Sequence, residues 1–383
     1  MTIEQNVIDW RHHLHQYPEF GTEEFKTAEF VANKLEQFGL EVHRGIGGTG
    51  VVGILKRGNS ERSIGLRADM DALRICEENT FCHASKHEGA MHACGHDGHT
   101  AMLLGAACEL AKTKNFDGTV YFIFQPDEER GTGAKAMIED GLFTRWHMDA
   151  IYAMHNLPGI PEGQFQTRPS SLMASESSFE IVINATGGHA ALPHMGTDPI
   201  VVGAQVVTAL QTIVSRNLSA IDETAVISVT NFETNGTVNV IPSQVTISGD
   251  TRSFTDQALH KIEKAIERVV AGQCMSAGVD YQYHFNNSFL STINTPEETA
   301  HAVRAAQKVV GEDNVIANCE RFTISEDFSF MLREVKGCYV LVGNGVGECG
   351  GTALHNPLYD FNDNILIKGV RYWQALVEDQ LSA

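Results

Sequence analysis

The first 155 residues alternate between helical hydrophobic patterns and short continuous apolar runs. Residues 4–15 and 22–38 repeat apolar side chains at the helical period, and Gly39 supplies a stop for the second helix. Residues 101–112 are apolar on nearly every side, as expected of a helix packed in a protein interior. Four further runs have the length and apolar character of strands covered on both faces: 51–56, 63–70, 120–125 and 150–155. This alternation predicts a three-layer α/β domain with a mostly parallel sheet.

The pattern changes between residues 176 and 288. Six segments there read in turn as strand, helix, strand, strand, helix and strand: 178–186, 198–216, 225–233, 239–252, 255–278 and 279–285. This βαββαβ order is that of a ferredoxin-like unit. The buried-strand pattern resumes at residues 338–345, so the small unit interrupts a larger one. We therefore predict a larger domain of residues 1–175 and 289–383, with residues 176–288 inserted into it.

Length and composition agree with a two-domain organisation. A chain of 383 residues is too long to form one typical hydrophobic core. Its composition, with 43% hydrophobic and 20% charged residues, is usual for a soluble globular protein. The formal net charge of −20 opposes binding to nucleic acid. Such binding requires an excess of cationic side chains that neutralise phosphates and release their counterions, and this chain has an excess of acidic ones. The N-terminus has no signal-peptide pattern, and no uninterrupted apolar stretch approaches membrane-spanning length. We expect a cytoplasmic protein without a membrane or nucleic-acid partner.

One of the eight cysteines stands in a metal-binding pattern. The cysteines form no CxxC pair and the chain is too large to need disulfide bonds, so most are expected to be reduced and inert. Cys94 differs, because Gly95 and His96 follow it. The small glycine allows the thiol and the imidazole to converge on one ion. The Cys-Gly-His sequence therefore predicts a metal site.

Other ligand-type side chains follow the predicted strands. Asp69 follows GLRA, Glu128 and Glu129 follow FIFQPD, His155 follows AIYAM, and His355 lies beyond YVLVGNG. The carboxyl ends of parallel strands meet in one crevice, where open α/β sheets usually place their sites. Each residue alone is equally well explained as a polar strand cap, but the set together favours a metal centre.

The adjacent acids Glu128 and Glu129 suggest a division of roles. From an extended backbone, neighbouring side chains point to opposite sides, so one carboxylate can bind metal while the other faces the substrate. The alternative is a solvated acidic turn. Asp127 weakens that alternative, because three consecutive acids after a buried strand require nearby cations, which metal ions would supply.

Most other histidines near these motifs are predicted to be surface or supporting residues rather than ligands. Three belong to an exposed-looking first helix and three to a polar loop: His12, His13, His15, His83, His87 and His92. His99 lies three residues after His96 at the start of a predicted helix, which is a possible ligand spacing, but a supporting hydrogen bond is the preferred role. The GIGGTG string at 45–50 precedes a strand rather than a helix, so it does not indicate a dinucleotide site.

Three residues of the inserted domain are candidates for substrate contacts. The string GGHAALPH places His189 on a tight, approachable loop. Asn239 in NVIP supplies an amide, and Arg252 in GDTR supplies a guanidinium suited to a carboxylate. Residue type alone leaves a purely structural role open for all three.

Strings spread from residue 9 to residue 363 together resemble the M20 metallopeptidase family: DWRHHLHQYPEFGTEE, RADMDAL, MHACGHDGHTA, FQPDEE, AMHN, GGHAALPH, NVIP, GDTR, SEDF and LHNPLYDFND. Within that family they are similar to the amidohydrolase branch of hippurate hydrolases, auxin-conjugate hydrolases and N-acetyldiaminopimelate deacetylases. The string MHACGHDGH is highly specific to this branch. The resemblance implies a di-metal catalytic domain, and an inserted domain that serves as a lid and mediates a homodimer.

The resemblance also implies a role for each candidate. It makes five residues the ligands of two divalent ions: Cys94, His96, Glu129, His155 and His355. Glu128 would be the general base, and Asp69 would support the ligands. His189 would assist the transition state, with action across the dimer as one arrangement, and Asn239 and Arg252 would lie near the substrate. Zinc or manganese is expected, and cobalt and nickel also suit such ligands.

The expected reaction is hydrolysis of the amide bond of a small N-acyl amino acid, with Glu128 deprotonating a metal-activated water. A dipeptidase on the same scaffold and a non-catalytic metal-binding homologue are the alternatives. Glu128 argues against the second alternative, because a binding site needs Glu129 but has no evident use for its neighbour. Three departures from the family pattern leave the substrate preference open: Arg74 in place of the usual proline, Asp127 in place of alanine, and the string TISEDF.

Overall fold

The computed structural model describes residues 2–113, 115–348 and 350–382, and it divides the chain into two compact units. The larger unit comprises Met1–Leu172, Ile293–Glu320 and Asp327–Ala383, and the smaller unit comprises Met173–Thr292 and Arg321–Glu326. The predicted domain boundaries at 175/176 and 288/289 differ from these divisions by a few residues. The segment Arg321–Glu326 was expected in the larger domain, but it packs in the smaller unit, where Arg321 lies over the ring of Phe254.

The helices begin and end as follows: α1 (Ile3–Gln16), α2 (Phe25–Gln37), α3 (His96–Lys112), α4 (Gly133–Glu139), α5 (Leu142–Arg145), α6 (Pro199–Thr212), α7 (Asp256–Ala277), α8 (Pro296–Val310), α9 (Phe328–Glu334) and α10 (Leu366–Gln380). The strands are β1 (Glu41–Ile46), β2 (Gly50–Arg57), β3 (Ser63–Asp69), β4 (Gly118–Gln125), β5 (Ala150–Pro158), β6 (Phe165–Gln166), β7 (Ser170–Met173), β8 (Glu176–Asn184), β9 (Gly188–His189), β10 (Ala225–Thr234), β11 (Val240–Ile241), β12 (Gln244–Ser253), β13 (Asp280–Phe289), β14 (Thr292–Asn294), β15 (Val315–Ile316) and β16 (Gly337–Gly345).

An eight-stranded sheet forms the centre of the larger unit, in the order β1-β2-β4-β3-β5-β16-β6-β15. Its four middle strands, β4, β3, β5 and β16, run parallel to one another. Antiparallel pairings lie toward the edges, between β1 and β2, β2 and β4, and β16 and β6. The prediction of a mostly parallel sheet is confirmed. Because parallel strands end at the same edge, residues near the ends of β3, β4, β5 and β16 are brought together.

Helices cover both faces of this sheet. Ile64 and Leu66 of β3 join a buried cluster with side chains of α1, α3, α8 and α10. The intervening residue is Gly65, and a side chain at this position would point to the opposite face of the sheet, toward Met148 and Ile123. Helix α4 contacts β4, α9 contacts β5 and α5 packs against α4, and none of these three helices takes part in that cluster. Alternate strand positions point to opposite faces, so the predicted three-layer arrangement is confirmed.

Helix α3 begins at His96, five residues before its predicted apolar core at 101. The prediction that His99 lies at the start of a helix is confirmed, but the burial of this first turn was not predicted, because His96, Asp97, His99 and Thr100 are polar. Gly95 precedes the helix with a φ of 94°, a left-handed conformation that residues with a side chain disfavour. The Cys-Gly-His motif is therefore the entry into a buried helix.

The smaller unit is built on a four-stranded antiparallel sheet in the order β10-β12-β8-β13. Helices α6 and α7 pack on one face of it, where Val206, Leu210 and Ile262 meet Ile181 and Ile247. The βαββαβ prediction is confirmed.

Two predicted elements have different bounds in the structure. The predicted strand 239–252 is interrupted between β11 and β12, because Pro242 has no N–H to donate to a strand ladder. The predicted helix 22–38 begins only at Phe25, since Thr22 has a φ of 69°, outside the right-handed helical region.

One helical run, Pro199–Asn217, is long and apolar enough to pass a length-and-composition test for a membrane span, with a mean hydropathy of 1.2. This is weak evidence, because the core helices of soluble proteins pass the same test. Val202, Val206 and Leu210 of this run pack in the core of the smaller unit, which accounts for part of its apolar character.

Candidate metal centre and active site

The five side chains predicted as metal ligands lie together in the larger unit. Cys94, His96 and His155 have donor atoms within 4.8 Å of one another, and so do Cys94, Glu129 and His355. The Cys94 Sγ lies 3.4 Å from His155 Nε2. We call these five side chains the metal cluster. Cys94 is common to its two groups, each of which offers three donor atoms to one ion.

Oxygen atoms behind the cluster orient its two buried imidazoles. His96 Nδ1 lies 2.9 Å from the carbonyl oxygen of Asp71 and 3.1 Å from its Oδ1, so the ring donates to Asp71. His155 Nδ1 donates to the carbonyl of Asn156 at 2.5 Å. Both contacts leave Nε2 directed at the cluster, an arrangement common among metal-binding histidines. Burial lowers the pKa of His155 well below its usual value, so its ring is neutral and able to bind a metal.

The turn after β4 places both adjacent acids beside these histidines. Glu129 Oε1 lies 3.4 Å from His355 Nε2 and 3.9 Å from His96 Nε2. Glu128 offers a carboxylate oxygen within 4.8 Å of the donor atoms of His96 and Glu129, and it accepts a hydrogen bond from the N–H of Asp327 at 3.3 Å. Glu129 therefore lies between two ring nitrogens, while Glu128 lies next to them.

His355 reaches the cluster from the loop that follows β16. Its N–H donates to the carbonyl of Ala93 at 2.8 Å, which ties this loop to the segment containing Cys94. Its φ of 61° is uncommon for a residue with a side chain. The His355 side chain is 52% exposed whereas that of His96 is fully buried, so His355 forms the accessible side of the cluster.

The chemistry of the cluster fits divalent cations. His96 Nε2 and Glu129 Oε1 are buried, and neither has a hydrogen-bond partner among the described residues. Such orphaned atoms are uncommon in folded proteins, and a bound ion accounts for them. Burial and the carboxylates of Glu129 and Glu128 raise the pKa of the Cys94 thiol well above its usual value, so a thiolate there requires nearby cations. Thiolate, imidazole and carboxylate donors together suit zinc and related ions.

Asp69 is fully buried behind the cluster. Its carboxylate accepts hydrogen bonds from Arg67 Nη1 and from His99 Nδ1, both at 2.6 Å. Although burial opposes ionisation, the neighbouring His96, His99 and Arg67 hold the pKa of Asp69 well below its usual value. The N–H of Asn156 donates to His99 Nε2 at 3.0 Å. Both ring nitrogens of His99 are thus engaged, which is the arrangement of a supporting residue.

Asp127 pairs with a guanidinium instead of joining the cluster. Its carboxylate accepts hydrogen bonds from Arg130 Nε at 2.6 Å and from the hydroxyl of Thr132, and its N–H donates to Glu24 at 2.9 Å. The backbone at Asp127 is left-handed, with a φ of 50°, so the three acids do not follow one extended strand. The expectation that metal ions compensate all three consecutive acids is therefore wrong for Asp127.

Three of the histidines predicted to be surface or supporting residues are buried, which excludes the surface position for them: His15, His83 and His92. His15 Nδ1 donates to Asp97 at 2.8 Å, and its Nε2 lies 3.1 Å from Glu77. Although burial opposes protonation, Asp97 raises the pKa of His15 to about 9. The helix pattern did not reveal this, because a polar residue on the buried face of α1 reads as an exposed position.

Two substrate-contact candidates lie at one small two-stranded sheet of the smaller unit, formed by β9 and β11. His189 lies in β9 opposite Val240 of β11 and is exposed. The N–H of Ala190 donates to the carbonyl of Asn239 at 3.1 Å. His189 and Asn239 are therefore neighbours in space as well as in predicted role.

Arg252, the third candidate, lies on β12 of the same unit. Its guanidinium contacts Glu176 at 2.7 Å and Asp250 at 2.9 Å, and it donates to the hydroxyl of Ser325 at 2.8 Å. Arg252 thus already has two carboxylate partners.

Sequence reasoning missed Asp71 and Asn156. Asp71 was detectable in principle, because it stands two residues after Asp69 and so points to the same side of an extended chain. Asn156 donates to the hydroxyl of Tyr359 at 2.6 Å, across 203 residues of sequence. No local pattern could have indicated that contact.

Comparison with known proteins identifies the family. Residues 65–379 match the profile of Peptidase family M20/M25/M40. The chain is 39% identical to the hippurate hydrolase of Campylobacter jejuni, over 96% of this chain and 94% of that one. It is 36% identical to the N-acetyl-L-cysteine deacetylase of Bacillus subtilis, over 96% and 86% of the two chains. A solved Bacillus subtilis protein, described as a dinuclear metal-binding peptidase of family M20, superposes with a TM-score of 0.86 at 30% identity and covers 99% of this chain and 98% of its own.

The chain therefore belongs to the M20 peptidase family, as the resemblance of its motifs indicated. It is a metal-binding hydrolase of the kind that acts on amide bonds.

Proposed function

We propose that this protein hydrolyses the amide bond of N-acyl amino acids with the help of two divalent ions. The observation that carries the proposal is the position of Glu128 within 4.8 Å of donor atoms of the metal cluster. A site that only binds metal needs Glu129 but has no evident use for a second adjacent carboxylate. The relatives named above are a hydrolase of hippurate and a deacetylase of N-acetyl-L-cysteine, and both of these compounds are N-acyl amino acids.

Residues of the larger unit supply the catalytic steps. The metal cluster would hold the ions, which when bound polarise the scissile carbonyl and lower the pKa of water from about 15.7 toward 7. Glu128 removes a proton from the attacking water and delivers it to the departing nitrogen. The hydrogen bond from the N–H of Asp327 fixes one Glu128 oxygen for this transfer. Asp71 and Asn156 keep the histidine ligands oriented.

The substrate contacts are proposed from the family resemblance. His189 would stabilise the developing oxyanion, and Asn239 would contact the substrate. Arg252 would contact the substrate carboxylate while its Nη1 and Nε stay beside Glu176 and Asp250, whose negative charges weaken its attraction for a further anion. Zinc and manganese are the proposed metals, and cobalt and nickel suit the same donors.

A homodimer through the smaller unit is part of the proposal. Helix α6 exposes Ile200 and Val201, at 40% and 53% of their surface. These side chains line a shallow apolar depression of about 650 Å³ with Ala204, Thr208 and Gln273. Grouped exposed apolar side chains suit an interaction surface, and a second copy pairing isologously would cover them.

A substrate screen tests the proposed reaction. N-acetyl, N-benzoyl and indole-acyl amino acids are compared with dipeptides, each with zinc, manganese, cobalt and nickel. We expect hydrolysis of at least one N-acyl amino acid and its complete loss on chelation. Hydrolysis of dipeptides alone would identify a dipeptidase, and a fully metallated protein without any amide hydrolysis would identify a non-catalytic homologue.

A further inference from the structure

A cavity of about 230 Å³ lies beside the metal cluster, entirely within the larger unit. Its wall includes four acidic side chains and two arginines, together with the ring of Phe20: Glu23, Asp71, Asp127, Glu129, Arg74 and Arg130. Pockets that enclose a whole ligand measure roughly 300–1,000 Å³. The cavity therefore has room for one arm of a substrate whose amide lies at the cluster.

Arg74 is an exposed residue at the edge of this cavity and stacks on one of the side chains that line it. Its guanidinium lies 3.9 Å from the centre of the Phe20 ring, a stacking distance. The backbone holds both partners, because Phe20 forms a β-bridge with Ala72, and Leu73 exchanges two hydrogen bonds of 3.0 Å with Met91. A stacked guanidinium keeps the N–H groups of its edge available for a ligand.

Arg74 also differs from Arg130, the other arginine of the cavity, because it has no acidic partner among the described residues. Arg130 Nε donates to Asp127 at 2.6 Å, and Asp71 accepts a hydrogen bond from the N–H of Glu129 at 3.0 Å. No carboxylate of the described residues forms an ion pair with Arg74, and its guanidinium contacts the Phe20 ring. A guanidinium held in place without an acidic partner is suited to an anion from outside the protein.

We propose that Arg74 binds a carboxylate of the substrate in this cavity and so determines specificity. The inference rests on the proposed amide hydrolysis. The planar edge of a guanidinium matches a carboxylate with two parallel hydrogen bonds. The carboxylate is either the α-carboxylate of the amino acid or a second one, on its side chain or on the acyl group. Arg252 is the weaker candidate for this role, because Glu176 and Asp250 already occupy it.

The test compares Arg74→Met with the wild type on three pairs of substrates, in which one carboxylate is replaced by a carboxamide. The pairs are N-acetylglycine with N-acetylglycinamide, N-acetylglutamate with N-acetylglutamine, and N-succinylglycine with its succinamyl analogue. We expect the wild type to prefer the acid of at least one pair by about ten- to a hundredfold in kcat/KM, mainly through KM, as for a charged hydrogen bond. Arg74→Met removes that preference, and Arg74→Lys retains part of it. The responding pair identifies which carboxylate is bound.

Arg145→Met is the matched control, because Arg145 is also an exposed arginine near an aromatic ring, 6.0 Å from that of Trp146, but it lies outside the cavity. The Arg145→Met variant should prefer the acid over the carboxamide of each pair to the same extent as the wild type. Metal content should be unchanged in all variants, since neither arginine belongs to the metal cluster. Unchanged preferences in Arg74→Met, with active wild type, would overturn the Arg74 inference and leave the proposed function intact. A wild type that hydrolyses none of the N-acyl amino acids would overturn both.

Discussion

Asp71 holds His96 with two oxygens, its main-chain carbonyl at 2.9 Å and its carboxylate at 3.1 Å from Nδ1. The other carboxylate oxygen accepts the N–H of Glu129 at 3.0 Å. One side chain thus fixes the positions of two candidate ligands that come from different elements. Partners of this kind set the tautomer and direction of a metal-binding histidine.

Asp71→Ala should weaken metal binding by about 10–100-fold, the usual cost of losing such a partner. Competition with a chromogenic chelator measures the affinity, and Asp71→Asn should lose less because an amide oxygen still faces His96. Asp140→Ala is the control, since Asp140 binds Gly47 and Arg145 away from the cluster. Wild-type affinity in Asp71→Ala would show that His96 needs no such support.

The buried pair of His15 and Asp97 should make stability depend on pH. The pKa of His15 is raised from 6.5 to about 9, so its contribution is fully present below pH 6.5 and is lost as the pH rises through 9. The shift corresponds to roughly 3 kcal/mol. Urea unfolding of wild type and His15→Asn, with saturating metal, should therefore differ more at pH 6 than at pH 9.5. His284→Asn, at an exposed position of β13, should show no such change. A pH-independent difference for His15→Asn would refute a charged pair.

The sequence predicted the layers well because continuous apolar runs such as 120–125 and 150–155 become the buried central strands. It failed where buried residues are polar. The first turn of α3 carries the buried His96 and His99, and β5 continues past His155 to Pro158, so the apolar pattern understates the buried extent of both elements. Hydrophobic pattern detects burial only of apolar side chains.

The candidate ligands were predictable because strand ends converge, but their surroundings were not. Arg11 is completely buried, and its guanidinium contacts Asp97, Asp360 and Asp363. Its hydrogen bond to Asp363 spans 352 residues of sequence. Such pairings depend on the folded backbone, and no periodicity of α1 records them.

Val201→Glu should dissociate the proposed homodimer, because it places a charge in the apolar depression on α6. Sedimentation velocity would then show a species of half the mass. Gln257→Glu adds the same charge at an exposed position of α7 and should leave the dimer intact. A wild type that already sediments as a monomer would reject the dimer.

If His189 acts across the dimer, two inactive variants should complement each other. When His189→Ala subunits are mixed with Glu128→Gln subunits, subunit exchange would form hybrid dimers. One of the two sites in each hybrid would have the native His189 and the native Glu128, so partial activity should return. No recovery, with exchange proved by labelled subunits, would place His189 in the site of its own subunit or outside catalysis.

The central claim, that Glu128 moves the proton while Glu129 holds metal, is tested most directly by measuring metal content and turnover together in Glu128→Gln and Glu129→Gln. The account predicts full metal occupancy with turnover reduced by about 10²–10⁴-fold in Glu128→Gln, the usual contribution of general acid–base catalysis. It predicts loss of metal in Glu129→Gln, because Glu129 Oε1 lies between His355 and His96. Metal loss in Glu128→Gln with full occupancy in Glu129→Gln, or wild-type turnover in Glu128→Gln, would contradict it.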